Sequence, residues 1–445
     1  MKNRVNKLVP DYKGEKWIQP ELPVRVQSWV DGKGKSLRQR RTGYKEARAR
    51  LCNMVGGHQW RWPKHPVYFI TDIHADADAL IASLVASGCV RKTGASDRDF
   101  RLTKAARHGR FVIGGDCFDK GPSNLRLLRT LNRLYKRGAN FRLLAGNHDI
   151  RVMLGMRSVG QYRNQCNEHF FLRMGPKAVP LLREISEQRL DKAALKHLPS
   201  SKQVRKLLYP SDQWVERFPD LARDFLSSGA IKLEMERIKK KVERFEHQCE
   251  LSDLGMRQVY AATLQWQQMF LKPGGEFYWF YNRMRLFYRQ GSFLFIHAGL
   301  DDEVAKMIKH KGVKHVNKRF RKQLKGNDLS FYHGPIANSI RTKYRAADHQ
   351  LTHKGAQFAH ESGIHAIIHG HRNVYHGQRI VLRKNLVNFQ CDTTMDSGSR
   401  VREGLKGAGA GVTIIHPEKV VLGISSDHEY IKVFEPSYLC AEENR

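Results

Sequence analysis

Short apolar runs punctuate this chain. Val67-Tyr-Phe-Ile70 joins β-branched and aromatic residues without a polar break, which predicts a buried strand. Phe111-Val-Ile113 and Phe141-Arg-Leu-Leu144 predict two more. Between them the period lengthens. Leu80, Ile81, Leu84 and Val85 make a helical stripe that Asp76 is placed to cap and Gly88 to stop. Leu125, Leu128 and Leu131 do the same in a helix expected to start at Pro122 and stop at Gly138. The β–α–β–α–β spacing favours strands of one sheet joined by crossover helices.

From about residue 160 to 290 the pattern turns helical. Ile231, Met235, Ile238, Val242, Phe245 and Cys249 recur at steps of four and three, a heptad seam. Leu251-Ser-Asp-Leu-Gly255 breaks it, and Met256, Val259, Thr263, Trp266 and Phe270 resume the helical spacing. An antiparallel helical hairpin is the expected product, either a lid or buttress without chemistry or an element that recognises substrate. Strands return at 292–296 and 366–368, with a very basic stretch at 306–325 between them. Segments 411–415 and 419–423 read as closing strands around a turn at Pro417-Glu418. Residues 1–65 are weak in periodicity and rich in Lys, Arg, Gly and Pro, with a basic run at 33–50, and Trp60 and Trp62 are expected to pack this extension onto the body. The division that follows is a basic extension (1–65), a catalytic domain in two halves (66–159 and 291–435), a helical insertion between them (160–290) and a C-terminal tail (436–445).

Composition narrows the class. The 445 residues are 41% hydrophobic, which suits a globular protein and excludes wholesale disorder. No apolar run reaches the roughly 18–20 residues that span a bilayer. Met1-Lys-Asn-Arg-Val-Asn-Lys has no apolar stretch behind its charges, so no secretory signal is expected. Seven scattered cysteines without a Cys-x-x-Cys pair suggest free thiols in a reducing compartment, and hence the cytoplasm. The net charge of +35 predicts attraction to polyanions, nucleic acid among them; a solvated basic surface without a specific partner is the plainer alternative.

Chemistry gathers where the predicted strands stop. The first is followed by Asp72-Ile-His74, the second by Gly115-Asp-Cys-Phe-Asp-Lys-Gly121 and the third by Gly146-Asn-His-Asp149. The strand near 295 ends in His297-Ala-Gly, and the one near 367 in His369-Gly-His371. Ligands converge at the carboxyl ends of strands in α/β sheets. Oxygen and imidazole donors without thiolate suit Mn, Fe or Zn. A lone Asp-x-His is often structural, whereas five such ends in order are hard to explain by packing.

That order of motifs resembles the calcineurin-like metallophosphoesterase superfamily, over residues 66–155 and 291–425. Gly-Asp-x-x-Asp-Lys-Gly and Leu-Leu-x-Gly-Asn-His are similar to its phosphoprotein phosphatase branch, with bacterial dinucleoside tetraphosphatases as close relatives. The resemblance implies a four-layer α/β/β/α sandwich of mixed sheets flanked by helices. It implies two divalent or trivalent ions (Mn2+, Fe2+/Fe3+ or Zn2+), the first held by Asp72 and His74, the second by Asn147, His297 and His371, with Asp116 bridging both. The implied activity is hydrolysis of phosphate monoesters by metal-activated hydroxide. His148 would protonate the leaving oxygen, and Asp119 would orient its imidazole and raise its pKa. A carboxylate at position 119 points to the protein phosphatases. Lys120, where the family usually has Arg, turns a bidentate phosphate clamp into a point charge. Asp149, where eukaryotic protein phosphatases have Glu, is the residue of the tetraphosphatases. Arg341 or Arg372 would be a second phosphate clamp, or else one more surface arginine. His369 reads as a supporting or surface residue, Asp392 and Asp396 as structural support, and Cys117 carries no mark of a nucleophile.

Three functions follow as expectations. A phosphoprotein phosphatase leads; a dinucleoside polyphosphate or RNA-end pyrophosphohydrolase is the alternative. A non-catalytic nucleic-acid-binding protein on the same fold is the reading from another class, and it predicts lost ligands, of which none is missing.

Overall fold

The structure, a computed structural model, describes residues 2–29 and 37–441. In chain order its strands are β1 (Arg25–Ser28), β2 (Val67–Ile70), β3 (Val90–Lys92), β4 (Phe100–Leu102), β5 (Arg110–Ile113), β6 (Phe141–Leu144), β7 (Met284–Arg285) and β8 (Tyr288–Gln290). These are followed by β9 (Phe293–Phe295), β10 (Ala366–His369), β11 (Arg379–Arg383), β12 (Leu386–Gln390), β13 (Gly411–Ile415), β14 (Val421–Ser425) and β15 (Tyr430–Phe434). They make an eight-stranded sheet in the order β1-β15-β14-β13-β2-β5-β6-β7 and a five-stranded sheet in the order β11-β12-β10-β9-β8; β3 and β4 pair by themselves.

Alternation along the strands explains the layers. Val67 and Phe69 point to one face of β2 and join Val112, Phe293, Phe295, Ile368 and Phe389 in a core between the two sheets. Tyr68 and Ile70 point to the other face and pack with Phe111, Ile113 and the flanking helices. This is the mixed-sheet α/β architecture with helices outside that the motifs imply. β2, β5 and β6 are parallel, as crossovers require. Their connections carry the helices Ala77–Ala86 and Asn124–Lys136. Asp76 caps the first by accepting Ala79 N–H at 3.0 Å. The second begins at Asn124, after the expected start, because Ser123 supplies its cap.

Within the described part of the N-terminal extension, β1 pairs in parallel with β15 at the sheet edge, and residues 37–56 form the helix Leu37–Gly56. Residues 33–36 of the basic run lie outside the described residues. Trp60 and Trp62 pack on Phe293 as anticipated. Two expectations need correction. The helices Ser228–Leu251 and Met256–Phe270 exist, but they do not pair as a hairpin. The first packs on Phe170–Met174 and Asp212–Ala222, the second on Val179–Arg189 and Ser201–Leu208. Ile231 and Ile238 of the first helix's seam pack with Trp214 and Phe218, while Phe245 and Cys249 join the main core. Finally, not every cysteine is a free thiol. Cys52 and Cys440, 388 residues apart in sequence, form a disulfide with their Cα atoms 5.4 Å apart, which pins the helix Leu37–Gly56 to the helix Pro436–Ala441. Cys89, Cys117, Cys166, Cys249 and Cys391 are free. Among the described residues no helix is long and apolar enough to cross a membrane.

Candidate metal centre

Asp116 follows β5 and stands at the middle of the site. Its Oδ1 accepts the backbone N–H of His148 at 2.8 Å, which turns Oδ2 towards a ring of imidazoles. Oδ2 lies 3.4 Å from Nε2 of His297 and 3.9 Å from Nε2 of both His74 and His148. Asn147 Oδ1 is 3.2 Å from His297 Nε2. Asp72 is tied in through the backbone N–H of His371, which donates to its Oδ2 at 2.9 Å, and through the Thr71 hydroxyl at 2.6 Å. All six residues expected to hold metal therefore converge on one spot, although they come from five loops.

The imidazoles are oriented for a cation. His74 Nδ1 faces the Phe118 carbonyl at 3.0 Å, and His297 Nδ1 faces the Gly114 carbonyl at 2.8 Å. A carbonyl only accepts, so each Nδ1 carries a hydrogen, and in the neutral ring each Nε2 offers a lone pair inward. His371 is reversed: its Nε2 faces the Arg341 carbonyl at 3.0 Å, leaving Nδ1 free. Asp116 with His74 and His148, and Asp116 with His297 and His371, each bring three donor atoms close enough to hold an ion. The donor set fits the metals that the chemistry calls for: oxygen and nitrogen, no thiolate.

Charge says the same. Burial opposes a charged His297, yet Asp116 and Asp72 push its pKa up to about 10, a demand for positive charge at this point. Burial would raise Asp116, but His297 and His148 hold it well below the usual carboxylate range. Burial raises Asp72, helped by the Asp116 charge.

The loops are held in costly conformations. Asp72 (φ 54°), His74 (φ 46°), Asp116 (φ 54°), Asp119 (φ 70°) and His371 (φ 67°) all sit in the left-handed region. Such non-glycine residues cluster where function over-determines the backbone. Two glycines make room. A Cβ on Gly370 would lie 1.9 Å from Asp72 Oδ2, and one on Gly146 would lie 2.0 Å from the Asp116 amide nitrogen.

His148 and Asp119 form the pair expected of them. His148 Nδ1 donates to Asp119 Oδ2 at 2.7 Å. Asp119 pushes the imidazole upward, as anticipated, but burial and the Arg151 guanidinium outweigh it and hold the ring down to about 4. Arg151 is the residue that sequence reasoning missed. Its Nη2 donates to Asp119 Oδ2 at 2.7 Å and lies 2.9 Å from His148 Nδ1. It lies one helical turn after Asn147 and His148, and that spacing was the available signal. Lys177 was missed as well; burial and the neighbouring Arg151 and Lys120 push its ammonium pKa down.

The three expected phosphate contacts part company. Lys120 Nζ donates to His74 Nε2 at 2.6 Å, so it stands inside the site. Arg341 stacks over the Tyr332 ring at 4.9 Å, next to the carbonyl that holds His371. Arg372 stacks over Tyr344 at 5.0 Å and keeps company with Arg383 rather than with the imidazoles. His369 is buried, not on the surface, with Nδ1 bonded to the Gly370 carbonyl at 2.9 Å. Asp396 caps the helix Ser397–Arg402 through Ser399 N–H at 2.7 Å. Burial, with the Asp149 and Asp116 charges adding to it, pushes the Cys117 thiol well up and leaves no thiolate for attack.

The helical insertion reaches this centre. Arg173 pairs with Glu234 on the helix Ser228–Leu251 and donates to the Tyr332 hydroxyl at 3.0 Å. From Tyr332 the contacts run on through Arg341 to His371. Below the site, Phe118 packs on Phe270, Phe280 and Tyr281, so the insertion also floors the Asp116 loop.

The calcineurin-like phosphoesterase family profile matches residues 65–240, which takes in the Asp72, Asp116 and Asn147 loops. No curated protein matches the chain. Among solved structures, a cold-active protein-tyrosine phosphatase of a psychrophilic Shewanella sp. is similar at 12% identity, covering 81% of this chain and 77% of that one, with a TM-score of 0.37. A protein serine/threonine phosphatase from Saccharomyces cerevisiae is similar at 12% identity, covering 88% of this chain and 89% of that one, with a TM-score of 0.35. Residues 65–240 thus match a calcineurin-like phosphoesterase domain, and the chain is a phosphoester hydrolase.

Proposed function

We propose that the chain is a two-metal phosphomonoesterase whose substrates are phosphoproteins. The observation that carries this reading is the Asp119–His148 pair, 2.7 Å apart and directed at the Asp116 carboxylate. Asp72, His74 and Asp116 would hold one ion, and Asp116, Asn147, His297 and His371 the other; Mn2+, Fe2+/Fe3+ and Zn2+ all suit these donors. When bound, the ions supply a nucleophilic water at neutral pH and polarise the phosphoryl oxygens.

The protein's own groups do the rest. His148 presents Nε2 towards the leaving oxygen, while Asp119 fixes its tautomer through Nδ1. Burial does most to keep the imidazole neutral and the Arg151 charge adds to it; an arriving phosphate dianion would share that charge and ease the second part. His148 can then carry the proton that the leaving alkoxide needs. Lys120 and Arg341 are the better placed of the three expected phosphate contacts. Arg372 serves the Tyr344 side.

A second reading has its own support. Lys177 has Arg151, Lys120 and Arg402 for neighbours, an accumulation of cations that Asp119 offsets only in part. Such a cluster suits a polyphosphate chain, as in a dinucleoside polyphosphate or an RNA 5′ end. The test is metal-activated hydrolysis of a phosphoserine peptide, a phosphotyrosine peptide and diadenosine tetraphosphate in parallel. A peptide preference supports the first reading, and preference for the dinucleotide overturns it. We assign the chain to the cytoplasm on its five free cysteines. The Cys52–Cys440 bridge counts against that compartment, and recovery of the protein from an extracytoplasmic fraction would refute the assignment.

A further inference from the structure

Away from the Asp116 centre, three histidines from distant parts of the chain meet. His58 lies on the irregular segment between the helix Leu37–Gly56 and β2. His360 lies in the last turn of the helix His353–Glu361, and His365 leads into β10. One ring nitrogen from each lies within 4.8 Å of the other two. His365 is buried; His58 and His360 are half-buried.

The polarity of these rings is informative. His360 Nε2 faces the Asn385 carbonyl at 2.8 Å, so it carries the hydrogen. In the neutral ring Nδ1 is then a lone pair, and it points at His365 Nδ1 only 3.0 Å away. Imidazole nitrogens on one tetrahedral Zn2+, each at about 2.0–2.1 Å from the metal, lie roughly 3.3 Å apart, close to the separation here. A backbone carbonyl behind a ring is also the usual device that orients a metal-bound histidine. Burial lowers the His360 and His365 pKa values, His365 to about 4, so both rings are free bases able to bind. The Arg289 guanidinium also lowers His365, and it is occupied by the Gly363 carbonyl at 3.1 Å. Glu361, the nearest acid in sequence, pairs with Lys309.

We propose that His58, His360 and His365 form a metal site separate from the Asp116 centre, taking one Zn2+ or similar nitrogen-seeking divalent ion. Three imidazoles without carboxylate favour Zn2+ and Cu2+ over Mg2+ or Mn2+. The His58 ring now stacks on His360 and His365, with centroids 3.9 and 4.6 Å away, and binding turns it edge-on. The ion ties the irregular segment before β2 to the five-stranded sheet, so its role is structural. A fourth position falls to water.

The test uses the full chain stripped with chelator and dialysed against Zn2+, with metal counted by mass spectrometry. His360→Gln and His58→Gln should each bind one equivalent less than wild type while hydrolysing phosphate esters at the wild-type rate. On an Asp116→Asn background, added Zn2+ should still raise the melting temperature, and the rise should vanish when His360→Gln is combined with it. Equal zinc in wild type and both histidine variants overturns the proposal, as does a zinc-induced rise that survives His360→Gln. Both readouts stand apart from the reaction at the Asp116 centre, so the site can fail while the phosphoesterase reading holds.

Discussion

The carboxylate of Asp149 accepts the backbone N–H of Asp116 at 2.9 Å through Oδ2 and that of Cys117 at 2.7 Å through Oδ1. It also accepts Gly146 N–H at 3.0 Å, so one fully buried side chain clamps the Asp116 loop to the Asn147 loop. Burial pushes this carboxyl up to about 8, and the amide donors oppose that rise. The residue that distinguished branches of the family by resemblance is thus a brace. Asp149→Ala strands these amides in the interior and is expected to cost roughly 3 kcal/mol, since a buried donor left without its partner costs about 1–3 kcal/mol. Asp149→Asn should recover little, because its NH2 group faces donors. Urea denaturation checks the loss, and metal content should fall with it.

Gly370→Ala tests the close approach beneath Asp72. The added methyl carbon would fall 1.9 Å from Asp72 Oδ2, so the carboxylate must leave its bonds to Thr71 and His371. Loss of activity is expected, with metal content reduced although no ligand has changed. An active, fully loaded variant would show that Asp72 does not hold metal from this position.

Asp116 and His148 should fail in different ways. Asp116→Asn removes the charge that faces three imidazoles and is expected to abolish paired metal binding and turnover. His148→Ala leaves the six metal-seeking residues in place and should keep its metal while slowing turnover about 10²–10⁴-fold, the usual worth of a positioned acid. Elemental analysis beside steady-state rates separates the two. Full activity in Asp116→Asn sinks the site assignment.

The part of this molecule written in local sequence was legible. β2, β5 and β6 announce themselves because strands buried on both faces have no polar break, and the metal-seeking residues follow directly at their ends. What was lost depends on distance. The parallel pairing of β1 with β15 joins residues about four hundred positions apart, and nothing in the pattern of Arg25–Ser28 marks it. Cys52 and Cys440 are invisible as a pair for the same reason. The heptad seam was read correctly as an apolar face, but periodicity does not say what covers it. Trp214 and Phe218 cover its first half, Phe245 and Cys249 join the main core, and the two helices pack on other neighbours.

Tyr332 gives the charge-based prediction. Burial would raise its hydroxyl, but the Arg173 and Arg341 guanidiniums outweigh burial and bring it down from 10.0 to about 7. A folded-state pKa below the unfolded value means that the unfolded chain holds the proton more tightly. The tyrosinate therefore contributes stability that is complete above pH 10 and is lost as the pH falls through 7. One tyrosine should ionise near neutrality in a tyrosinate absorbance titration, and Tyr332→Phe should abolish that step. The stability difference between wild type and Tyr332→Phe should widen as the pH rises from 7 to 10. Because Arg173 is anchored to Glu234 of the insertion, Glu234→Gln should move the same titration. If no tyrosine ionises below its ordinary range, Arg173 and Arg341 do not converge on this ring, and the insertion has lost its link to His371.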